Sequence, residues 1–188
     1  MSKLRKIIFL DIDGVLQPMS CAEDRFKHDL VALQKEMSER FNEELYLKMD
    51  KYDIGAVYYD WEKESVELLR KLIKETEAEI VISSDWRRYN SLKKLKLLFK
   101  IHNMDQYVVD VTPEETLTQE KESKKYLTRE EEIKAYLLQY EKEISVYVIL
   151  DDRLLEGLGK NFVHINSPYF LKKEEYLAAK AILQEEST

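Results

Sequence analysis

Three short apolar runs recur along the chain: Lys6-Ile7-Ile8-Phe9-Leu10, Glu79-Ile80-Val81-Ile82-Ser83 and Ser145-Val146-Tyr147-Val148-Ile149-Leu150. Each is rich in β-branched residues, and the first and third run directly into carboxylates. Strands covered on both faces of a parallel sheet have this appearance. Amphipathic helical stretches separate them. One from Glu62 to about Glu77 carries Val66, Leu69, Leu72 and Ile73 on a single face. One from about Asn90 to Ile101 carries Leu92, Leu95, Leu98 and Phe99. One from about Thr128 to Tyr140 carries Ile133, Tyr136, Leu137 and Tyr140, with Thr128 and Glu131 spaced as a capping box. Tyr107-Val108-Val109 is a weaker strand, Phe162-Val163-His164-Ile165 a last one, and a helix from about Lys172 to Gln184 follows it. The alternation of strand and helix predicts crossover connections and an α/β fold: helices on both sides of a parallel sheet of about five strands.

Residues 17–61 break the alternation. They join the first strand to the first sheet helix, where about 2–6 residues are usual. Phe26, Leu30, Leu33, Met37 and Phe41 form a helical stripe within them. The pattern predicts a small helical insert over the carboxyl edge of the sheet, with residues 1–16 and 62–188 forming the core. Tyr52, Tyr58, Tyr59 and Trp61 cluster at its end and are expected to staple it to the core, stacking on a base or sugar being the alternative. Residues 114–125 are polar and are expected to form a solvated loop or frayed helix.

Composition narrows the class. The chain has 188 residues, 44% hydrophobic and 36% charged, which suits one globular unit with an insert. Its net charge of −7 opposes nonspecific binding to bulk nucleic acid. The lone cysteine, Cys21, excludes an internal disulfide and fits a reducing compartment. Lys3, Arg5 and Lys6 before Ile7–Leu10 imitate a signal peptide. Asp11 and Asp13 interrupt that run short of the roughly 7–15 apolar residues of a signal core. No run approaches the roughly 20 residues of a membrane span. No membrane association and a cytoplasmic location are therefore expected.

Ligands of an open parallel sheet sit beyond the carboxyl ends of its strands. There the first strand ends in Asp11-Ile12-Asp13-Gly14-Val15, the second in Ser83-Ser84-Asp85 and the third in Asp151-Asp152. So many carboxylates on one edge call for a balancing cation. Oxygen ligands without a His or Cys cluster suit Mg²⁺. His28, His102 and His164 lack metal-ligand spacing and are read as structural or surface residues.

In this order, KIIFLDIDGVL, VISSDWR and VYVILDDR resemble the haloacid dehalogenase (HAD) superfamily in its aspartyl phosphohydrolase branch. The resemblance spans residues 5–16 and 62–185 and implies a three-layer, Rossmann-like α/β/α sandwich. It makes Asp11 the nucleophile of a Mg²⁺-dependent phosphatase and Asp13 the acid/base partner, whose carbonyl also binds the metal. Gly14 would allow close backbone approach to the phosphate. Ser83 would bind a phosphoryl oxygen, and Ser84 would assist through its N–H. Asp151 and Asp152 supply the metal-binding acid, either of them being the direct ligand. The superfamily's basic residue, usually Lys, falls to Arg129, with Lys134 as competitor and Lys124 or Lys125 also within reach. Arg87 is expected at the phosphate or substrate, a solvated arginine being the alternative. A basic run without acids, from Arg87 to Lys100, is either a solvated face or a patch for a polyanion. SSDWR, Thr112-Pro113 and the Arg-then-Glu start at 129 are also similar to HAD domains associated with RNA repair proteins.

The function expected is hydrolysis of a phosphorylated small molecule or nucleotide. Action on a nucleic-acid terminus is the alternative, and a non-catalytic phosphate- and Mg²⁺-binding domain is a third reading. Dehalogenation does not need the full acidic set.

Overall fold

A computed structural model describes residues 4–18, 24–117, 124–166 and 170–185. Lys3 and Cys21 lie outside the described residues.

The first apolar run forms β1 (Arg5–Leu10). The helices α1 (Leu30–Phe41), α2 (Lys51–Gly55) and α3 (Lys63–Thr76) follow, then β2 (Glu79–Ile82) and α4 (Leu92–Lys100). Next come β3 (Val108–Val111), a ribbon of β4 (Glu115–Leu117) and β5 (Lys124–Tyr126), and α5 (Arg129–Gln139). The chain continues through β6 (Ile144–Asp151), β7 (Phe162–His164) and α6 (Lys173–Gln184). Five strands form one parallel sheet in the order β3-β2-β1-β6-β7. The chain leaves β1 towards β2 on one side and later returns to β6 on the other, so the gap beyond β1 and β6 is the sheet's topological switch point.

Alternation along the strands builds two core layers. Ile8, Leu10, Ile80, Ile82, Val148 and Leu150 join a cluster with α1, α3, α4 and α6. Ile7, Phe9, Val81 and Ile149 meet Ile133 and Tyr136 of α5, together with Leu155 and Leu158. The architecture is the expected three-layer α/β/α sandwich. In α3 the predicted stripe is buried, and each of Leu69, Leu72 and Ile73 contributes about 1.5–3 kcal/mol by burial. The capping box at Thr128 and Glu131 forms at the start of α5.

Residues 25–60 are helical and belong to the same core. Asp29 caps α1 by accepting from the N–H groups of Val31 and Ala32, so the helix begins after it. Leu30, Leu33 and Met37 are buried, whereas Phe26, expected on that stripe, lies before the cap in a short 3₁₀ turn and is exposed. The Tyr46 hydroxyl donates to the Leu97 carbonyl at 2.6 Å. The Glu62 N–H donates to the Leu16 carbonyl at 2.8 Å, bringing the two ends of this long connection together. Trp61 is the staple: it is buried, packs edge-on against Phe99 at 5.0 Å and stacks on His102 at 5.3 Å. Tyr52 and Tyr58 stay exposed.

Residues 114–125 depart from expectation. Instead of a loop or frayed helix, Glu115–Leu117 pairs antiparallel with Lys124–Tyr126. The stretch has too few apolar positions to write a period-two pattern, so backbone pairing alone defines the ribbon. Residues 118–123 are outside the described residues. Tyr107 sits in a 3₁₀ turn just before β3 rather than in the strand. Among the described residues no helix is long and apolar enough to cross a membrane.

Candidate active site

Strand register gathers the polar residues. Leu10 pairs with Ile82 on one side and Leu150 on the other. The next residue of each strand therefore stands in one row: Ser83, Asp11 and Asp151. Two hydrogen bonds of 3.0 Å close the row, from the Ser83 N–H to the Leu10 carbonyl and from the Asp11 N–H to the Leu150 carbonyl. Asp11, Asp151 and Asp152 each offer a carboxylate oxygen within 4.8 Å of the others. The two acidic segments, far apart in sequence, thus meet at the switch point. The remaining expected metal residue, Asp13, does not bring its carboxylate into that group.

The chain turns sharply after Asp11. The Ile12 N–H donates to Asp11 Oδ1 at 2.8 Å. Gly14 takes φ +77°, and the N–H groups of Val15, Leu16 and Gln17 all point at the Ile12 carbonyl. A Cβ on Gly14 would stand 2.3 Å from Asp152 Oδ2, so glycine is required for the acidic pair to approach as well as for the turn. This turn swings Asp13 sideways, where Trp86 Nε1 donates to Oδ2 at 2.9 Å and Gln17 Nε2 to Oδ1 at 3.2 Å.

The electrostatics are those of crowded acids. Burial pushes the Asp13 carboxyl up to about 6; the Trp86 hydrogen bond opposes the rise, and Asp11, Asp152 and Asp85 add to it. Burial, then repulsion from Asp11, pushes Asp151 up to about 7 against the pull of Arg129. Asp152 is raised by burial and then by Asp11. Asp85 goes the other way: burial would raise it, but Arg153, Arg129 and Arg88 outweigh that and hold it low.

Arg129 opens α5 with its guanidinium buried between the acids. Nη1 lies 2.8 Å from Asp151 Oδ2 and 3.3 Å from Asp11 Oδ2, and Nη2 lies 3.6 Å from Asp85. Its competitor Lys134 is half exposed, with Nζ 3.6 Å from Glu130. The side chains of Lys124 and Lys125 are outside the described residues.

Ser83 is fully buried, and its hydroxyl has no hydrogen-bond partner among the described residues. Native buried hydroxyls are nearly always satisfied, which sets this one apart in the row with Asp11 and Asp151. Ser84 caps the following 3₁₀ turn, Asp85–Arg88.

Arg87 is not the solvated arginine of the alternative reading. It is buried, donating to the carbonyls of Ser83 (2.6 Å), Ser84 (2.7 Å) and Thr112 (3.1 Å), and it pairs with the buried Glu132. Through these bonds and the contact with Glu132 the guanidinium ties the Ser83-Ser84 loop to α5. Glu132 escaped the sequence reading. It also lies 3.6 Å from Arg129 Nε and 3.6 Å from Arg88. Its i, i+3 spacing from Arg129 was a usable signal, hidden in the run Glu130-Glu131-Glu132. Nothing in the sequence signalled the Trp86–Asp13 hydrogen bond.

Beside Asp13 opens a cleft of about 400 Å³. Asp85, Trp86, Tyr89, Asn90 and Lys94 of the core line it together with Asp50 and Asp53 of the insert, and Asn90 Nδ2 donates to Asp53 at 2.9 Å. Of the basic run, Lys94 reaches this cleft, Lys93 lies 3.7 Å from Glu43, and Lys100 sits over the Phe41 ring. The histidines are engaged elsewhere: His102 donates to the Val57 carbonyl, His28 stacks on Tyr59 and His164 donates to the Asp152 carbonyl.

No curated protein and no solved structure matches the chain. A family model described as the HAD domain in Swiss Army Knife RNA repair proteins matches residues 7–176, which takes in β1 from Ile7, the other four strands of the sheet and all of the residues gathered above. The chain belongs to that family of HAD domains.

Proposed function

We propose that the protein is a Mg²⁺-dependent phosphomonoester hydrolase that works through a phosphoryl group carried on Asp11. The observation that carries this reading is the meeting of Asp11, Asp151 and Asp152 within 4.8 Å, beside a Ser83 hydroxyl that has no partner among the described residues. An all-oxygen set of this kind fits a hard divalent cation. Asp11, Asp151 and Asp152, with the Asp13 carbonyl, would hold Mg²⁺, which would neutralise phosphate charge facing the nucleophile.

The chain's own residues divide the remaining work. An Asp11 carboxylate oxygen attacks phosphorus, and the bond from phosphorus to the leaving oxygen breaks. Asp13 gives its proton to that oxygen, help worth about 10²–10⁴-fold. Its raised pKa, about 6, suits an acid that must still be partly protonated near neutrality. As a carboxylate it then takes a proton from water, which attacks phosphorus, frees phosphate and restores Asp11. Ser83 donates to a phosphoryl oxygen. Arg129 holds Asp11 and Asp151 in place and offsets their charge. Residues 17–61 act as a small cap whose Asp50 and Asp53 face the leaving group across the cleft.

The test is turnover of p-nitrophenyl phosphate with and without Mg²⁺. Asp11→Asn is expected to remove activity with an unchanged circular-dichroism spectrum; a folded Asp11→Asn variant that still turns over ends the mechanism. A second reading, with a phosphorylated nucleic-acid end as substrate, is favoured by the family match and by Trp86, Tyr89 and Lys94 in the cleft. Phosphorylated oligonucleotides compared with nucleotides and sugar phosphates separate the two.

A further inference from the structure

We infer that Trp86 is the positioning residue for the acid/base group: its indole N–H fixes the Asp13 carboxyl beside the leaving-group cleft. This rests on the acid/base role proposed for Asp13.

The geometry is specific. Trp86 Nε1 lies 2.9 Å from Asp13 Oδ2, across 73 residues of sequence. The same ring lines the cleft that opens at Asp13. An indole N–H donates and never accepts. It can therefore orient a carboxyl group without taking the proton that the leaving oxygen needs. A hydroxyl or water at this place could accept that proton and misdirect it. Gln17 Nε2 grips the other oxygen at 3.2 Å, so the group is held from both sides.

The support behind Trp86 is built in as well. Ser84 Oγ accepts from the Trp86 backbone N–H at the start of the 3₁₀ turn. Arg87 next door is locked on the carbonyls of Ser83 and Ser84. Trp61, at the end of the insert, stands 6.5 Å from the Trp86 ring, itself wedged between Phe99 and His102. The insert thereby braces the residue that aims the acid.

A positioning role has a signature that simple loss of packing lacks. A good leaving group such as p-nitrophenolate departs without a proton, whereas an alkoxide needs one. Since kcat/KM covers the steps through leaving-group release, it reports this difference even if dephosphorylation of Asp11 limits kcat. For Trp86→Phe we expect kcat/KM on an alkyl phosphate to fall by about tenfold or more, a share of the roughly 10²–10⁴-fold due to the acid. On p-nitrophenyl phosphate kcat/KM should fall by clearly less, because that leaving group departs without a proton. Asp13→Asn should show the same selectivity more strongly, and adding Trp86→Phe to it should cost little more on the alkyl phosphate.

A version that keeps the packing guards against a folding defect. Among the described residues Trp61 Nε1 has no hydrogen-bond partner. Replacing both tryptophans biosynthetically with the isosteric benzothiophene analogue therefore removes one indole hydrogen bond, the one to Asp13. The selective loss should reappear. A loss equal for both substrates, or none, in Trp86→Phe and in the analogue-labelled protein overturns the inference if Asp13→Asn is selective. If Asp13→Asn is itself unselective, the acid/base reading falls, and the inference with it.

Discussion

Removing the charge of Glu132 tests how the site is held together. Its carboxylate is 1% exposed and lies among three guanidiniums: Arg87, in direct contact, and Arg88 and Arg129, each at 3.6 Å. Arg87 and Arg129 have almost fully buried side chains of their own, at 1% and 3%. Glu132→Gln keeps the shape but leaves these cations without their shared anion. Breaking a buried pair from one side costs about 3–5 kcal/mol, because the charge left behind has lost water and partner together. At roughly 2–4 °C per kcal/mol for a chain of this size, the melting temperature should drop by about 6–20 °C. Urea unfolding checks the same number as a lower midpoint at constant slope. Activity should fall further than stability explains, since Arg87 also fixes the Ser83-Ser84 carbonyls and Arg129 lies on Asp11. A loss under about 1 kcal/mol, the range of an exposed pair, would refute the view that this cluster is desolvated.

Gly14→Ala should impair both fold and turnover: the left-handed backbone costs about 1–2 kcal/mol for a residue with a side chain, and the new Cβ would meet Asp152 Oδ2 at 2.3 Å. Equal urea midpoints and equal kcat for the two proteins would contradict this. Mg²⁺ at about 100 times its dissociation constant should stabilise the protein by ~2.7 kcal/mol. Asp151→Asn should remove that increment, read by calorimetry within each variant; an undiminished increment would take Asp151 out of the metal site. Burial holds the His102 ring below its ordinary pKa of 6.5, against the hydrogen bond to Val57, and Arg70 and Arg40 add repulsion. Its folded pKa being depressed, its contribution to stability is present above pH 6.5 and is lost as pH falls below it. His102→Gln should flatten the acid side of the urea-midpoint profile, and an unchanged slope between pH 7 and 5 would exclude His102 as the cause.

Apolar patterning alone was enough to read the sheet, its helices and the row of polar residues at its edge. Strands buried on both faces must be apolar, so KIIFL, EIVIS and SVYVIL were legible. The carboxylates that end two of those runs stood out as charges set directly against buried strands. The stripe of α3 and the capping box of α5 were equally local, set by spacings of three and four residues. Tertiary structure decided what those residues do to one another. Strand register brought Ser83, Asp11 and Asp151 side by side, and the turn at Gly14 carried Asp13 out of the acidic trio and onto Trp86. Burial made Arg87 a tie for backbone carbonyls rather than a solvated arginine, and converted Glu132 from one acid in a run of three into the anion shared by three arginines. The ribbon at 115–126 was invisible because its pairing is made by backbone groups, which every sequence possesses. Local patterns record which face of an element is dry; which polar groups meet across the fold depends on distances between segments far apart in the chain.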